Sequence, residues 1–349
     1  MINLFSDTQT RPTAAMRQAI AQAEVGDEQR FEDPTTNRLR ERICALLGFE
    51  DAVLLPSGTM CNEIAIAVHC RPGDEVIAEA SAHIIHAEGG GPAALAGVML
   101  RPVLAPPGGV PGTFDGAALR EAVRADSRYL PRSRLVCVEQ TANTAGGTVW
   151  PLALLREVRD GARALGLATH VDGARLMNAV VASGMPAHEQ LAGFDSAWID
   201  FSKGLGCPVG AMLAGSRAFI HEAWRLKQRW GGAMRQSGIL AAAALHALDH
   251  HVERLAEDHA NARLLAVALA ELPGVRIDPA SVQTNLVYFD VTDTGLSPER
   301  VVSELAARGV CVGVFGRGLI RAVTHLDVSR EQVLRAADAM RDVISACKP

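Results

Sequence analysis

From about residue 50 to residue 215, short apolar runs alternate with stretches of helical periodicity, and that alternation leaves few folds open to the chain. Runs at 52–55, 75–79, 97–103, 134–139, 167–171, 195–201 and 209–214 read as buried strands. Helical spacing fills 60–68, 116–124, 151–165, 174–183 and 216–229, and earlier at 37–47 it places Leu39, Ile43 and Leu46 on one face with Gly48 as a stop. Strands that are apolar throughout need cover on both faces. The expectation is therefore an α/β fold: a mostly parallel central sheet flanked by helices.

The texture changes after residue 235. Residues 236–271 are nearly continuous helix formers without proline and read as one long helix, straight or bent. Segment 273–349 reads strand, strand (284–290), helix, strand, strand, helix. Ser297 and Pro298 suit a helix start, and Ser329 with Gln332 has capping-box spacing. These signals divide the chain into an N-terminal arm (1–15), a large domain (16–250) and a smaller α+β C-terminal domain (251–349). The loop at 105–113, rich in proline and glycine, is expected to be a surface connection.

Net charge is −5 with no basic run, which gives no electrostatic case for nucleic acid. Apolar stretches are interrupted well short of a membrane span, and the first residues carry no signal-peptide pattern. The 7 cysteines are scattered and odd in number, so they read as reduced thiols of a cytoplasmic protein.

In an open parallel sheet, ligands sit at the carboxyl ends of the strands. Three features follow expected strands: Lys203 in Ser202-Lys203-Gly204, Asp172 in His170-Val171-Asp172-Gly173, and the turn Ser57-Gly58-Thr59. A lysine and an aspartate in those places are the minimum equipment for pyridoxal phosphate (PLP) chemistry. The lysine supplies an amine for a Schiff base; the aspartate holds the pyridine nitrogen protonated. Ser57-Gly58-Thr59 opens a helix whose N–H groups suit a phosphate. Singly, each has a plainer reading: a serine-capped helix, an aspartate cap, an exposed lysine. Their joint occurrence is what favours a site.

Other motifs carry less. Gly204, Gly206 and Gly210 do not fit a dinucleotide fingerprint. Gly89-Gly90-Gly91-Pro92 reads as a turn into a helix. His83, His86, His250 and His251 lack an evident partner set, so no metal site is expected. Cys207 reads as a packed thiol, and the Met, Trp and Leu positions at 224–234 as packing or interface.

Several stretches together resemble the L-threonine aldolase family, PLP enzymes of fold type I, the aspartate aminotransferase fold. They are Ser6-Asp7-Thr8-Gln9-Thr10-Arg11-Pro12-Thr13, Glu32-Asp33-Pro34-Thr35-Thr36-Asn37, Pro56-Ser57-Gly58-Thr59-Met60-Cys61-Asn62, Asp172-Gly173-Ala174-Arg175, Ser202 to Gly210, Met234-Arg235-Gln236 and Arg321-Ala322-Val323-Thr324-His325. The resemblance implies roles. Lys203 binds PLP covalently, Asp172 pairs with its ring nitrogen, and His83 stacks on the ring and is the candidate base. Ser57, Gly58 and Thr59 hold the phosphate, with Arg235 reaching it from a neighbouring subunit. Ser6, Arg175 and Arg321 bind the substrate carboxylate, Arg175 also bordering the cofactor.

The implied activity is cleavage of L-threonine or L-allo-threonine-type β-hydroxy-α-amino acids to glycine and an aldehyde, by a cytoplasmic homodimer or homotetramer. The rivals are another fold-type I reaction (β-elimination, transamination or racemisation) and a non-catalytic binding module. Two departures bear on specificity. Where the family often has Glu-Asn-Thr-His-Asn, this chain has Glu139-Gln140-Thr141-Ala142-Asn143, and where it has Tyr-Gly-Glu-Asp-Pro, this chain has Arg30-Phe31-Glu32-Asp33-Pro34. Loss of the histidine is expected to leave room for a bulkier, phenylserine-like substituent, and Arg30 to add a cation if its loop reaches the site.

Overall fold

The computed structural model describes residues 1–346; Cys347 and the last two residues lie outside the described part. Seven strands form the central sheet: β1 (Asp51–Leu55), β2 (Asp74–Glu79), β3 (Met99–Val103), β4 (Arg132–Glu139), β5 (Ala168–Asp172), β6 (Ser196–Asp200) and β7 (Ala211–Gly215). Their order is β3-β2-β4-β5-β6-β7-β1. Only β7 is reversed, pairing antiparallel with both β6 and β1. The sheet is thus mostly parallel, and six strands point their carboxyl ends at one edge. β6 and β7 are buried at every position, which is why they read as unbroken apolar runs.

Helices cover both faces: α1 (Pro34–Leu47), α2 (Gly58–His69), α3 (Leu176–Ser183), α4 (Arg217–Arg229) and α5 (Gly238–His250). α1 begins three residues earlier than its apolar periodicity. Asp33 caps it by accepting from Thr36 N at 2.8 Å, with Pro34 in the first turn.

The expected long helix is two helices, α5 and α6 (Leu255–Ala270). The chain leaves α5 at His251, whose Nδ1 is held 2.7 Å from Leu205 O, and Arg254 pairs with Asp258 where α6 starts. These contacts come from outside the segment or across the break, so composition could not mark it.

Beyond α6 a second sheet, order β9-β10-β8, is built from β8 (Leu286–Asp290), β9 (Gly313–Val314) and β10 (Leu319–Val323). The strand expected just after 273 is reduced to the single bridge Arg276–Asp290; Gly274 at φ +81° and the turn at Pro279 interrupt it. α6 and α7 (Pro298–Ala307) pack on this sheet, and α8 (Arg330–Ala346) packs on those two helices in the same core. Ser329 and Gln332 complete the capping box in both directions, at 2.8 and 3.3 Å.

The two sheets have separate cores. One contains Leu39, Ile77, Val136, Val171 and Ile199; the other contains Leu265, Val287, Phe289, Ile320 and Met340. The arm belongs to the second: Ile2–Asn3 pairs parallel with Val310–Cys311, and Leu4 is fully buried there. The arm therefore carries Ser6 and Asp7 across the seam between the two cores.

Candidate active site

The parallel part of the sheet brings its strand ends to one edge. Asp172 closes β5 beside Glu139, its register partner at the end of β4. Lys203 lies three residues past β6, His83 four past β2, and Ser57 two past β1, where its Oγ caps α2 by accepting from Met60 N at 3.2 Å.

Asn62, four residues into α2 from Gly58, organises the buried floor. Its Nδ2 donates to Asp172 Oδ2 at 2.8 Å and to Glu88 Oε1 at 2.7 Å. Its Oδ1 accepts from Trp198 Nε1 at 2.7 Å and from His170 Nε2 at 3.3 Å. His170, Ser196 and His69 continue this as a chain of 2.8 Å contacts. Burial pushes His170 down to about 3 and His69 down to about 4, so both rings are neutral; the indole N–H of Trp198, which can only donate, sets the amide orientation. A Cβ on Gly58 would collide with the Trp198 ring, and one on Gly173 with the Trp198 carbonyl. Both glycines are required by close packing on that tryptophan.

Glu88 Oε1 also meets His83 Nδ1 at 2.8 Å, and the His83 backbone N–H donates to Glu139 Oε2 at 2.8 Å. His83, Glu88 and Asp172 each bring one atom within 4.8 Å of the others. The hydrogen bond to Glu88 raises the His83 pKa. Burial, then the charge of Asp172, pushes Glu139 up to about 7. Burial likewise raises Asp172, whose oxygens meet only neutral donors, Asn62 Nδ2 and Ala174 N. Lys203 Nζ lies 3.2 Å from Asp200 Oδ2 and 5.9 Å from the centre of the Trp198 ring, and its backbone O accepts from the Thr10 hydroxyl at 2.8 Å.

Asp7 from the arm accepts a two-pronged ion pair from Arg175, at 2.8 Å from Nε and 2.7 Å from Nη2, and a further bond from Asn285 at 3.0 Å. Burial alone would raise Asp7, but the Arg175 guanidinium outweighs it and holds the carboxyl well below its usual range. Arg175 has one remaining contact, Nη1 to Asn143 Oδ1 at 3.4 Å. Arg321 reaches the same Asn143 oxygen at 3.3 Å and Phe5 O at 3.4 Å, and lies over the Phe315 ring at 4.4 Å. Its buried Nε has no partner among the described residues. Ser6 Oγ is engaged locally, by Thr8 N at 3.2 Å and the Thr8 hydroxyl at 2.8 Å.

Several of the residues expected at the site stand apart from this floor. Ser57 and Thr59 are exposed. The Arg235 side chain is 67% exposed and lies 4.0 Å from Asp27. Arg30 pairs with Glu32 at 3.0 Å in solvent, and Phe31 packs edge-on against Trp224, so within one chain Arg30 adds no cation to the site. Ala142 leaves no opening: it is 4% exposed, and a Cβ on Gly112 would lie 2.6 Å from its Cβ. The loop expected to be a plain surface connection thus fills the place of the missing histidine. Cys207 is buried and raised by burial, as a packed thiol.

Asn62, Glu88, Glu139, Trp198 and Asp200 were not singled out from the sequence. Asn62 had a usable signal, since it falls one helical turn after Gly58. Glu88 had none, because the bend that returns it to α2 is tertiary.

A buried carboxylate with no cation of its own, facing a lysine across the strand ends, is a fit for a protonated pyridine ring, and the open start of α2 is a fit for a phosphate. Fold and donor set define the PLP-dependent enzymes of fold type I. The model of the β-eliminating lyase family matches residues 3–292. The low-specificity L-threonine aldolase of Escherichia coli (strain K12) is 40% identical over 97% of this chain and 97% of its own. Low-specificity L-threonine aldolase 1 of Arabidopsis thaliana is 39% identical over 95% of this chain and 93% of its own. The structure of Leishmania major threonine aldolase superposes with a TM-score of 0.82 at 20% identity, covering 99% of this chain and 100% of that one. The chain belongs to the β-eliminating lyase family, in its L-threonine aldolase branch.

Proposed function

We propose that the chain is a PLP-dependent carbon–carbon lyase cleaving L-threonine and L-allo-threonine-type β-hydroxy-α-amino acids to glycine and an aldehyde. The observation that carries this is the Asp172–His83–Lys203 grouping set in a chain 39–40% identical, nearly end to end, to enzymes named low-specificity L-threonine aldolase. PLP, when bound, supplies the sink for the electron pair left on Cα when the Cα–Cβ bond breaks.

The chain's residues do the rest. Lys203 would hold the cofactor through its side-chain amine. Asp172 supplies the negative charge that keeps the ring nitrogen protonated, and Asn62 fixes that carboxylate in place. His83 presents Nε2 as the acceptor for the β-hydroxyl proton, because Nδ1 is held by Glu88. Arg321 and the free edge of Arg175 hold the substrate carboxylate beside Ser6. Ser57, Gly58 and Thr59 hold the phosphate at the start of α2.

Ser57, Thr59 and Arg235 are all exposed in the single chain. That suits a homodimer or homotetramer in which Arg235 serves a neighbour's cofactor. The six described cysteines are free thiols, which suits the reducing cytoplasm.

The test is product analysis with L-threonine, L-allo-threonine, phenylserine and serine. Glycine and the matching aldehyde in equal amounts support the reading. Pyruvate, an oxo acid or a D-amino acid in their place would move the chain to another reaction on the same fold.

A further inference from the structure

Glu63 follows Asn62 on α2, is 2% exposed, and plays no part in the steps above. Among the described residues neither of its carboxyl oxygens meets a donor, and Glu88 Oε2 meets none either. Gly91 ties the two residues together: its N–H donates to Glu88 O at 2.9 Å, and the space beside its Cα is occupied by Glu63 Oε1, so any side chain there would strike it. The bend Gly89-Gly90-Gly91 closes over them. Gly89 and Gly90 take φ of +61° and +76°. The triple glycine thus gains a role: it is what allows the chain to seal this pair from water.

Two ionised carboxylates pressed together without a cation are unfavourable; one shared proton removes the conflict and satisfies an otherwise orphaned oxygen. The geometry points to Glu63 as a buried acid that keeps its proton in the working enzyme and donates it to Glu88 Oε2, so that the pair carries one negative charge. That charge leaves through Glu88 Oε1, which receives His83 Nδ1 and Asn62 Nδ2. Burial, then the charge of Glu88, pushes the Glu63 carboxyl up to about 8, in keeping with this state. Glu88 is the charged group that acts on Glu63; His83 bonds to Glu88, and Asp172 to Asn62, which also donates to Glu88.

The consequence is a fixed imidazole. With a single charge at Glu88, Nδ1 of His83 bears the hydrogen and Nε2 stays free to accept a proton. A second charge at Glu63 would stabilise the doubly protonated ring and remove that acceptor. Glu63 is a positioning residue, acting through Glu88. The catalytic part of this inference rests on the proposed function; the protonation state does not.

Infrared difference spectroscopy on the purified holoenzyme tests it without turnover. Parent minus Glu63→Gln is expected to show a carboxylic-acid carbonyl band at pH 7 that fades as pH rises through about 8. In turnover, Glu63→Gln, whose amide still donates to Glu88, is expected to keep at least about tenfold more kcat than the isosteric Glu63→Leu. Its kcat is also expected to lose the alkaline decline of the parent. Absence of the band overturns the proposal even if the protein folds and turns over. So does a Gln variant as impaired as Leu with a parental pH profile. A wrong substrate would leave the infrared result intact, so the two readings fail separately.

Discussion

The proposed ring end of the site and its proposed carboxylate end are built differently. At the ring end, Asp172, Asn62, Glu88, His83 and Trp198 come from the strand ends and covering helix of one sheet, and their short hydrogen bonds interlock. At the carboxylate end, Asp7 comes from the arm, Arg175 and Asn143 from the large sheet's loops, and Asn285 and Arg321 from the second sheet. The two arginines there also differ. Arg175 is buried with its charge matched by Asp7; Arg321 makes only long contacts and keeps an unpartnered Nε. The ring end is preorganised electrostatics, where reorganisation would cost rate. The carboxylate end is a seam, where a substrate can supply the missing partner.

The largest effect is expected at the ring end. Lys203→Ala should leave no measurable glycine release and no lysine-bound cofactor absorbance, while the fold persists by circular dichroism. A variant that turns over at the parental rate would remove Lys203 from the site. Asp172→Asn should cut kcat by roughly 10²–10³, the span for losing one preorganised charge. His83→Asn should lose more than about tenfold, within the range for a general base. Steady-state kinetics check both, with cofactor binding measured alongside.

The carboxylate end should separate the two arginines. Arg175→Ala leaves Asp7 buried and unpaired, which is expected to cost about 3–5 kcal/mol of stability. Arg321→Ala should barely move denaturant unfolding and should raise KM roughly ten- to hundredfold, the worth of charge-assisted bonds to a carboxylate. Equal destabilisation by both substitutions would erase the distinction between matched and waiting charge.

The smallest effect is on stability against pH, and the two regions should respond with opposite signs. Asp7 is depressed in the folded state, so its contribution is complete above its ordinary value of 3.8 and fades as pH falls through the folded value. Glu139 and Glu63 are raised to about 7 and about 8 from an ordinary 4.5, so the folded state binds more protons and stability declines as pH rises across that interval. Unfolding midpoints of Asp7→Asn and Glu63→Gln should flatten the acid and the alkaline limb respectively. The same limb flattened in both would break the comparison.

Much of this was legible along the chain. Strand ends are local events, so Asp172, Lys203 and Ser57 could be put on one rim from the alternation of elements alone. Arg235 and Arg30 could not be placed, because whether a side chain reaches a site across a loop or a subunit boundary leaves no periodic trace. Ala142 misled for a related reason: the space a deleted histidine leaves depends on what packs there, and the packing comes from Gly112, 30 residues away in sequence.

By itself the sequence determined the parallel α/β sheet, the family and the placement of Lys203 and Asp172 at strand ends, since hydrophobic period, turn residues and strand ends are set by neighbours in the chain. Only the tertiary structure decided that Glu88 returns to Asn62, that Glu63 lies sealed beneath it, and that Asp7 crosses from the second core to neutralise Arg175. Those pairings join residues from distant stretches, and what selects them is burial: a charge removed from water must find its partner wherever the fold brings one.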